Sequence, residues 1–269
     1  MSNRTRSSGA PNISPDNAEG NVRDYWDGLG GSAGDAAAID PNDALGYKNA
    51  YVALVRDIAI DTAISDLPEQ GRLMDFGCGT GTFLSNLRVF RPHLMAFGID
   101  VSKVMLSRAV KRDGALRGRL IRYDGIRLPL ADESLDAITT GGALLYLRDD
   151  QCFLAVCREF KRVLRTRGIV VAVEQVRASA MYDSKSLKVQ RTAEGLRRLF
   201  EMAGFECIEW RQIRRGRFPL TYAIRFGFVP KRLHRAVARI ESFLWKNAAM
   251  PRHDYADAVF KFRRIELSR

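Results

Sequence analysis

Three acidic residues, each placed at the end of a short apolar run, are the residues of this sequence best suited to chemistry. Asp75 opens the run Asp75-Phe-Gly-Cys-Gly-Thr-Gly81, Asp100 ends the run that starts at residue 95, and Asp124 follows residues 119–123. The glycines allow a tight turn that a ligand can approach without meeting a Cβ atom. The spacing G-x-G-x-G, with a carboxylate before the first glycine, favours a ligand that carries a cation over a dinucleotide that carries a pyrophosphate.

The positions of Asp100 and Asp124 suggest the rest of that ligand. An acid at the end of a second strand is placed to accept hydrogen bonds from both hydroxyls of a ribose. An acid after a third strand suits the amino group of an adenine. The three carboxylates together therefore predict a site for a nucleoside with an amino-acid tail.

Short apolar runs alternate with helical periodicity along the chain, and these elements would position the acids. We predict strands over residues 72–76, 95–99, 119–123, 135–140 and 168–176, and helices over residues 47–67, 80–90, 102–112 and 149–165. A helix over 192–203, a strand over 206–213 and a last strand over 256–264 follow. This alternation predicts an α/β fold with a mostly parallel sheet and helices on both faces.

The motifs, in the order in which they occur along the chain, resemble those of the class I S-adenosylmethionine-dependent methyltransferases. The resemblance is to the small-molecule or glycan type, whose catalytic domain is similar to methyltransferase domain 11. The run from Asp75 to Gly81 resembles the glycine-rich first motif of that family, Asp100 its ribose-binding acid and Asp124 its acid near the adenine ring. The stretch LPLADESLD over residues 128–136 resembles the family's LPF-x-D-x-SFD run, with leucine in place of the usual aromatic residues. The resemblance covers residues 47–213 and the last strand.

The resemblance implies S-adenosyl-L-methionine as the cofactor, no metal, and an in-line displacement that passes the sulfonium methyl to a nucleophile. It implies that the cofactor is held by Asp75, Gly77, Cys78, Gly79, Gly81, Asp100, Val101, Asp124 and Gly125, with Cys78 packed as a small residue rather than acting as a nucleophile.

The same resemblance implies a Rossmann-like, seven-stranded sheet whose last strand is antiparallel and is inserted between the fifth and the sixth. Residues 21–269 would form one domain. Its cofactor-binding core covers residues 47–213, a basic helical insertion above the acceptor site covers 214–254, and the final strand covers 255–265.

The catalytic candidates are His253, Tyr146 and Glu174. His253 precedes the antiparallel last strand, so it would lie at the rim where the other strands end, and Asp254 could orient it as a base. Tyr146 follows the fourth strand and Glu174 lies at the end of the fifth. Both would point at the acceptor, although either could merely line the site. Methyl transfer also proceeds without a dedicated base. The other histidines, His93 and His234, are expected at the surface.

Much of the positive charge is local. The chain has 43 Lys and Arg residues against 31 Asp and Glu residues, a net charge of +12, and residues 214–246 hold nine of these cations against the single acid Glu241. Leu233, Val237, Ile240 and Leu244 would share one face of a helix there, with the arginines on another. The segment is either a solvated charged face or a cover that selects an anionic acceptor.

Length and composition exclude several other classes. The chain of 269 residues has 46% hydrophobic and 28% charged residues, which is ordinary for a globular protein. No apolar run is long enough to span a membrane, and residues 1–20 are expected to be a disordered tail with no secretory signal. The four cysteines show no C-x-x-C spacing, which favours free thiols in the cytoplasm and no zinc site.

The acceptor is less constrained. The sequence has no Asn-Pro-Pro-Tyr or Asp-Pro-Pro-Tyr after the fourth strand, a motif that enzymes methylating amino groups of nucleic acids usually carry. It also has no Pro-Cys pair, which enzymes methylating C5 of cytosine usually carry. We therefore expect O-methylation of an anionic small molecule or of a glycan or lipid-linked acceptor, with peripheral membrane contact through residues 214–246. The alternatives are an RNA methyltransferase, which would use the same basic and aromatic segment on phosphates and bases, and a cofactor-binding partner protein without catalysis.

Overall fold

The computed structural model describes residues 15–32, 40, 42–123, 125, 127–184, 186–246 and 254–266, and in the first of these ranges it describes the side chains of residues 22–30 only. The helices are α1 (Pro15–Ser32), α2 (Tyr47–Ala63), α3 (Thr82–Phe90), α4 (Lys103–Arg112), α5 (Asp150–Val163), α6 (Ala193–Met202), α7 (Pro219–Arg225) and α8 (His234–Trp245). The strands are β1 (Arg72–Phe76), β2 (Met95–Asp100), β3 (Leu120–Arg122), β4 (Leu135–Gly141), β5 (Leu164–Arg177), β6 (Met181–Asp183), β7 (Lys188–Gln190), β8 (Phe205–Arg215) and β9 (Tyr255–Arg264).

The main sheet has seven strands in the order β3-β2-β1-β4-β5-β9-β8. Strands β1 to β5 pair in parallel, and β9 runs antiparallel to both of its neighbours, β5 and β8. This confirms the predicted α/β class and the insertion of the antiparallel last strand. Asp75 lies opposite Gly98 of β2 and Thr139 of β4, so the ends of these strands meet at one edge of the sheet.

Helices cover both faces of the sheet, and each face has its own apolar layer. Side chains alternate between the faces along β5, with Val170 and Ala172 in one layer and Val171 and Val173 in the other. The first layer is rich in aromatic residues and includes the stacked rings of Phe200 and Phe262, 3.9 Å apart. This packing holds the carboxyl edge of the sheet rigid, which is where the predicted site lies.

The helix predicted over residues 47–67 ends at Ala63, and three further elements differ from the sequence-based expectation. The helix predicted over 149–165 ends at Val163 because Leu164 already pairs with Leu135 of β4, across an irregular register, and begins the long strand β5. The short β6–β7 hairpin has strands of three residues, too short to show a periodicity. Helix α1 begins at Pro15, so residues 15–20, expected to be disordered, are helical, whereas residues 1–14 lie outside the described part of the chain.

Among the described residues, no helix combines the length and the apolar character that crossing a membrane requires.

Candidate functional site

A cavity of about 290 Å³ opens at the carboxyl edge of the sheet, between the ends of β1, β2 and β4 and helix α1. Five of the predicted cofactor residues line it: Gly77, Gly79, Asp100, Val101 and Gly125. The structure therefore brings residues of the first motif together with residues from the ends of the second and third strands. Asp124, the predicted adenine-binding acid, lies outside the described residues.

The glycine loop after β1 is held by the backbone of the neighbouring strand. The N–H groups of Gly77 and Cys78 both donate to the carbonyl of Ile99, at 2.9 and 3.0 Å. Gly77 has φ +71°, and a Cβ atom there would lie 2.4 Å from the Cβ of Ala143. Gly79 also has a left-handed φ, +52°, but a Cβ atom on it would meet nothing within 4 Å. The first glycine is thus required by packing, while the second leaves a bare stretch of backbone beside the cavity for a ligand.

Asp100 fixes the other side of this loop. Its carboxylate accepts hydrogen bonds from the N–H of Gly79 at 2.8 Å and from the N–H of Ser102 at 2.9 Å. Burial raises the pKa of Asp100, and the charge of Asp27 adds to that, while the backbone donors oppose it. A carboxylate can accept about four hydrogen bonds, so the group has capacity left on the cavity side for the predicted ribose hydroxyls.

The other predicted cofactor residues of the first motif, Asp75, Cys78 and Gly81, lie behind the cavity wall. Asp75 is buried and accepts a hydrogen bond from the Thr139 hydroxyl at 2.8 Å, which ties β1 to β4, and burial raises its pKa to about 7. Burial also raises the pKa of the Cys78 thiol, in keeping with a packed residue and not a nucleophile. Gly81, with φ +67°, is the N-cap residue that directly precedes α3. These three residues shape the loop, and none of them is part of the lining.

Helix α1 forms one wall of the cavity. Trp26 lines it and packs edge-on against Tyr146, with ring centroids 5.0 Å apart. Asp27 anchors the helix to the start of α4, because its carboxylate accepts hydrogen bonds from the Ser102 hydroxyl and from the N–H of Val104, the latter at 3.3 Å. Trp26 and its neighbour Tyr25, whose rings pack edge-on, thus belong to a helix that covers the glycine-loop end of the cavity. Asp27 was missed, since its partner is distant in sequence.

Positive charge lines the far end of the cavity. Arg56 of α2, Arg148 and Lys188 of β7 all contribute to the wall, beside Gln175. Arg56 donates to Asp257 at 3.1 Å, and burial together with the charge of Arg56 lowers the pKa of Lys188. Sequence analysis missed Arg56 and Lys188, because one lies on a helix that precedes the motifs and the other on the unpredicted hairpin.

The three catalytic candidates have different positions relative to the cavity. Tyr146 lines the cavity, and burial raises the pKa of its hydroxyl. Glu174 is 1% exposed and lies beneath the wall, where it accepts a hydrogen bond from the N–H of Leu144 at 3.1 Å. Burial raises the pKa of Glu174 to about 7. It therefore supports the segment that carries Tyr146 and is not part of the lining. His253 lies outside the described residues.

The other two histidines are at different depths. His93 is exposed, as expected, with its ring 3.6 Å from the carboxylate of Glu69. The expectation for His234 was wrong. It is buried, with Nε2 3.2 Å from the carbonyl oxygen of Val229, because it faces inward at the start of α8.

The position predicted for the basic segment also needs correction, because no residue of 214–246 belongs to the lining of this cavity. Strand β8 continues through Arg214, which is 1% exposed and donates to Asp257 at 3.0 Å. Helix α8 then packs back onto α2 and β8, because buried Glu241 accepts hydrogen bonds from the Tyr51 hydroxyl at 2.6 Å and from the N–H of Arg215 at 3.0 Å.

In the part of the chain that the structure describes, no cluster of three or more His, Cys, Asp or Glu side chains is arranged to hold a metal ion.

Residues 74–172 match the family model described as a methyltransferase domain. Among curated proteins, the chain is similar to demethylmenaquinone methyltransferases of Roseiflexus. It is 36% identical over 119 residues to that of strain RS-1, which is 44% of this chain and 49% of the relative. It is 36% identical over 132 residues to that of Roseiflexus castenholzii, which is 49% of this chain and 50% of the relative. The aligned part spans about half the length of these relatives.

Solved structures share the whole fold. Geranyl diphosphate C-methyltransferase from Streptomyces coelicolor, solved with Mg²⁺, geranyl diphosphate and S-adenosyl-L-homocysteine, superimposes with a TM-score of 0.63 over 94% of this chain and 99% of that one, at 12% identity. The [4+2]-cyclase SpnF superimposes with a TM-score of 0.57 over 77% of this chain and 81% of that one, at 25% identity. One fold therefore carries differently named activities.

Proposed function

We propose that this chain, whose residues 74–172 match a methyltransferase-domain family model, is a class I S-adenosylmethionine-dependent enzyme that transfers the methyl group of that cofactor to a small molecule. The observation that carries the proposal is a single cavity with two chemically different ends. Its glycine-lined end has Asp100 for the hydroxyls of a ribose, and its far end has Arg56 and Lys188.

The residues present fit the cofactor. Gly79 leaves open space next to its backbone, where a nucleoside or amino-acid tail can approach, and the buried Asp100 carboxylate is turned toward the same loop. When bound, S-adenosylmethionine supplies a methyl group on a positively charged sulfur, which a nucleophile displaces. The contribution of the chain is to orient the two molecules and to exclude water, and Trp26 and Tyr146 provide an apolar wall for this.

The acceptor proposed here is a small aromatic or otherwise apolar molecule with a negatively charged oxygen. Arg56 and Lys188 bring two cations to one partly buried wall. The Asp257 carboxylate that Arg56 contacts is shared with Arg214, and the pKa of Lys188 is lowered because burial and the charge of Arg56 outweigh the nearby carboxylates of Asp183 and Asp257. An oxyanion in this cavity would balance that charge. It would also need no dedicated base, because the acceptor would bind already deprotonated.

The relatives support this class of acceptor. Their name, demethylmenaquinone methyltransferase, gives a quinone-type substrate, and reduced quinones are aromatic and have ionisable oxygens. We propose oxygen as the methylated atom on a different ground, namely that the proposed acceptor has a negatively charged oxygen. NMR of the product distinguishes an O-methyl from a C-methyl group.

A matched pair of probes tests the charge of the acceptor. With S-adenosylhomocysteine bound, calorimetry should give 2-naphthoate an affinity at least about tenfold higher than that of the neutral 2-naphthamide. Lys188→Met should remove most of this preference, and Lys111→Met, on the exposed surface of α4, should keep it. Equal affinities for both probes would refute an anionic acceptor. A failure to bind S-adenosylhomocysteine would refute the cofactor assignment itself.

We also propose that the reaction takes place beside a membrane. The quinone-type substrate named for the relatives is compatible with an acceptor that partitions into lipid, and residues 217–246 keep many basic and apolar side chains exposed. Co-sedimentation with vesicles tests this placement.

A further inference from the structure

Helix α8 presents three faces, and only one of them is used in folding. His234, Val237, Ala238 and Glu241 are buried against the rest of the molecule. The arginines at 232, 235 and 239 and Lys246 form a basic stripe on the exposed side, and Leu233, Ile240, Phe243 and Leu244 form an apolar stripe next to it. The sequence predicted an apolar face and a basic face, but it grouped the buried Val237 with the exposed Leu233, Ile240 and Leu244.

The apolar stripe is too exposed to contribute to the core. Phe243 is 82% exposed, and Leu233, Ile240 and Leu244 are between 46% and 52% exposed. Two more aromatic residues just before the helix, Phe226 and Phe228, are 61% and 78% exposed. Their ring centroids lie 6.4 Å apart. Large apolar side chains exposed on one side of a helix, and in the segment just before it, are typical of a surface that meets another apolar phase.

The basic stripe lacks internal compensation. The one acid of α8, Glu241, is buried and committed to Tyr51 and the N–H of Arg215. Within the described residues, none of the four cations of the stripe has an ion pair with a carboxylate. Arg235 lies 5.7 Å from the ring centroid of Phe90, which is itself 57% exposed, so the surface extends onto the end of α3.

A groove between α2 and α8 borders both the basic stripe and the apolar stripe. It has a volume of about 300 Å³, and Val55, Ile58 and Phe243 line it, with Arg239 and Lys246 among its polar residues. An apolar groove bordered by cations matches a molecule with a hydrocarbon part and an anionic head. The same combination describes the outer layer of an anionic bilayer.

We propose that the exposed side of α8, together with Phe226 and Phe228, docks on an anionic lipid bilayer, with the apolar stripe among the acyl chains and the basic stripe at the headgroups. Charge complementarity selects this occupant, because basic side chains beside an anionic surface and apolar side chains at its interface act together. The inference names the surface for the peripheral contact proposed above. Its test needs no methyl transfer, so it stands or falls separately from the enzymatic proposal.

Vesicle co-sedimentation with the full chain tests the surface. We expect the protein to pellet with vesicles of phosphatidylcholine and phosphatidylglycerol at low salt, and not with pure phosphatidylcholine. Arg232→Gln with Arg239→Gln should weaken partitioning on the order of tenfold or more. Phe243→Ser with Ile240→Ser should also weaken it. Met202→Ser, which removes a side chain on α6 that is 64% exposed, should have no effect.

Two further measurements, the thermal unfolding midpoint and the oligomeric state, complete the test. The thermal unfolding midpoint of each variant should match that of the wild type, because none of the replaced side chains is buried. Binding to neutral and anionic vesicles alike, no binding at low salt, or an equal loss in Met202→Ser would overturn the inference. So would a dimer in light scattering that Phe243→Ser with Ile240→Ser converts to a monomer, since the surface would then join two copies of the chain.

Discussion

Replacement of Gly79 by alanine separates the folding role of the glycine loop from its role in binding. Gly79 has φ +52°, and an added Cβ atom would touch no protein atom within 4 Å. The left-handed backbone should therefore cost about 1–2 kcal/mol of unfolding free energy, and no steric clash should add to it. If the cofactor approaches this backbone, the methyl group should also cost about 1–3 kcal/mol of binding free energy, which corresponds to a roughly 5- to 150-fold weaker affinity.

Two other glycines provide matched controls. Gly118 has φ +78° and equally open surroundings, but it is not part of the cavity wall. Gly118→Ala should therefore lose similar stability and keep its affinity for S-adenosylhomocysteine. Gly77→Ala should lose more stability than either, because its Cβ atom would lie 2.4 Å from that of Ala143.

The assays for this series are urea unfolding for stability and calorimetric titration of S-adenosylhomocysteine for affinity. The reasoning would be refuted if Gly79→Ala bound the cofactor product as tightly as Gly118→Ala. It would also be refuted if Gly77→Ala were as stable as Gly118→Ala, because the packing argument for the loop would then fail.

Three further predictions concern buried charge and support of the site. Asp257→Asn should lower the unfolding free energy by about 3–5 kcal/mol in urea titrations, because buried Arg214 loses its partner. Asp66→Asn, which removes the exposed member of a surface ion pair, should change it by no more than about 1 kcal/mol. Burial raises the pKa of Glu241 to about 7 in the folded chain, so the folded state binds more protons, and stability should fall as pH rises from about 4 towards 7. Glu241→Gln should flatten this fall, and an unchanged profile would contradict it. Glu174→Ala should raise KM for the acceptor while the affinity for S-adenosylhomocysteine stays the same, and a loss of that affinity would contradict a role confined to the acceptor end.

The glycine loop could be predicted from sequence because its constraints are local. Gly77 and Gly79 need backbone angles that only glycine adopts at little cost, and a strand and a helix flank them directly. Asp100 follows for the same reason, as the end of the next strand. The motif did not show that the Asp75 carboxylate is engaged by Thr139 rather than lining the cavity, because that contact depends on the pairing of β1 with β4.

The cationic end of the cavity could not be predicted, because its residues come together only in the tertiary structure. Arg56 and Lys188 are far apart in sequence, and Lys188 belongs to a hairpin with strands too short for periodicity. For the basic segment, the sequence predicted the helix but not its orientation. Its amphipathic pattern was detected, but periodicity does not say which stripe faces the core, and the hydrogen bonds of Glu241 orient α8 with Leu244 outward.

The central claim is that the cavity at the carboxyl edge is where a methyl group passes from S-adenosylmethionine to a small molecule. The most direct measurement is mass spectrometry of metabolite fractions incubated with the chain and a cofactor whose methyl group carries deuterium. The account predicts a labelled product with the wild-type chain, less of it with Gly79→Ala at low cofactor concentration, and recovery at high concentration. An acceptor converted without label, or no conversion in any fraction by a chain that binds the cofactor, would contradict it.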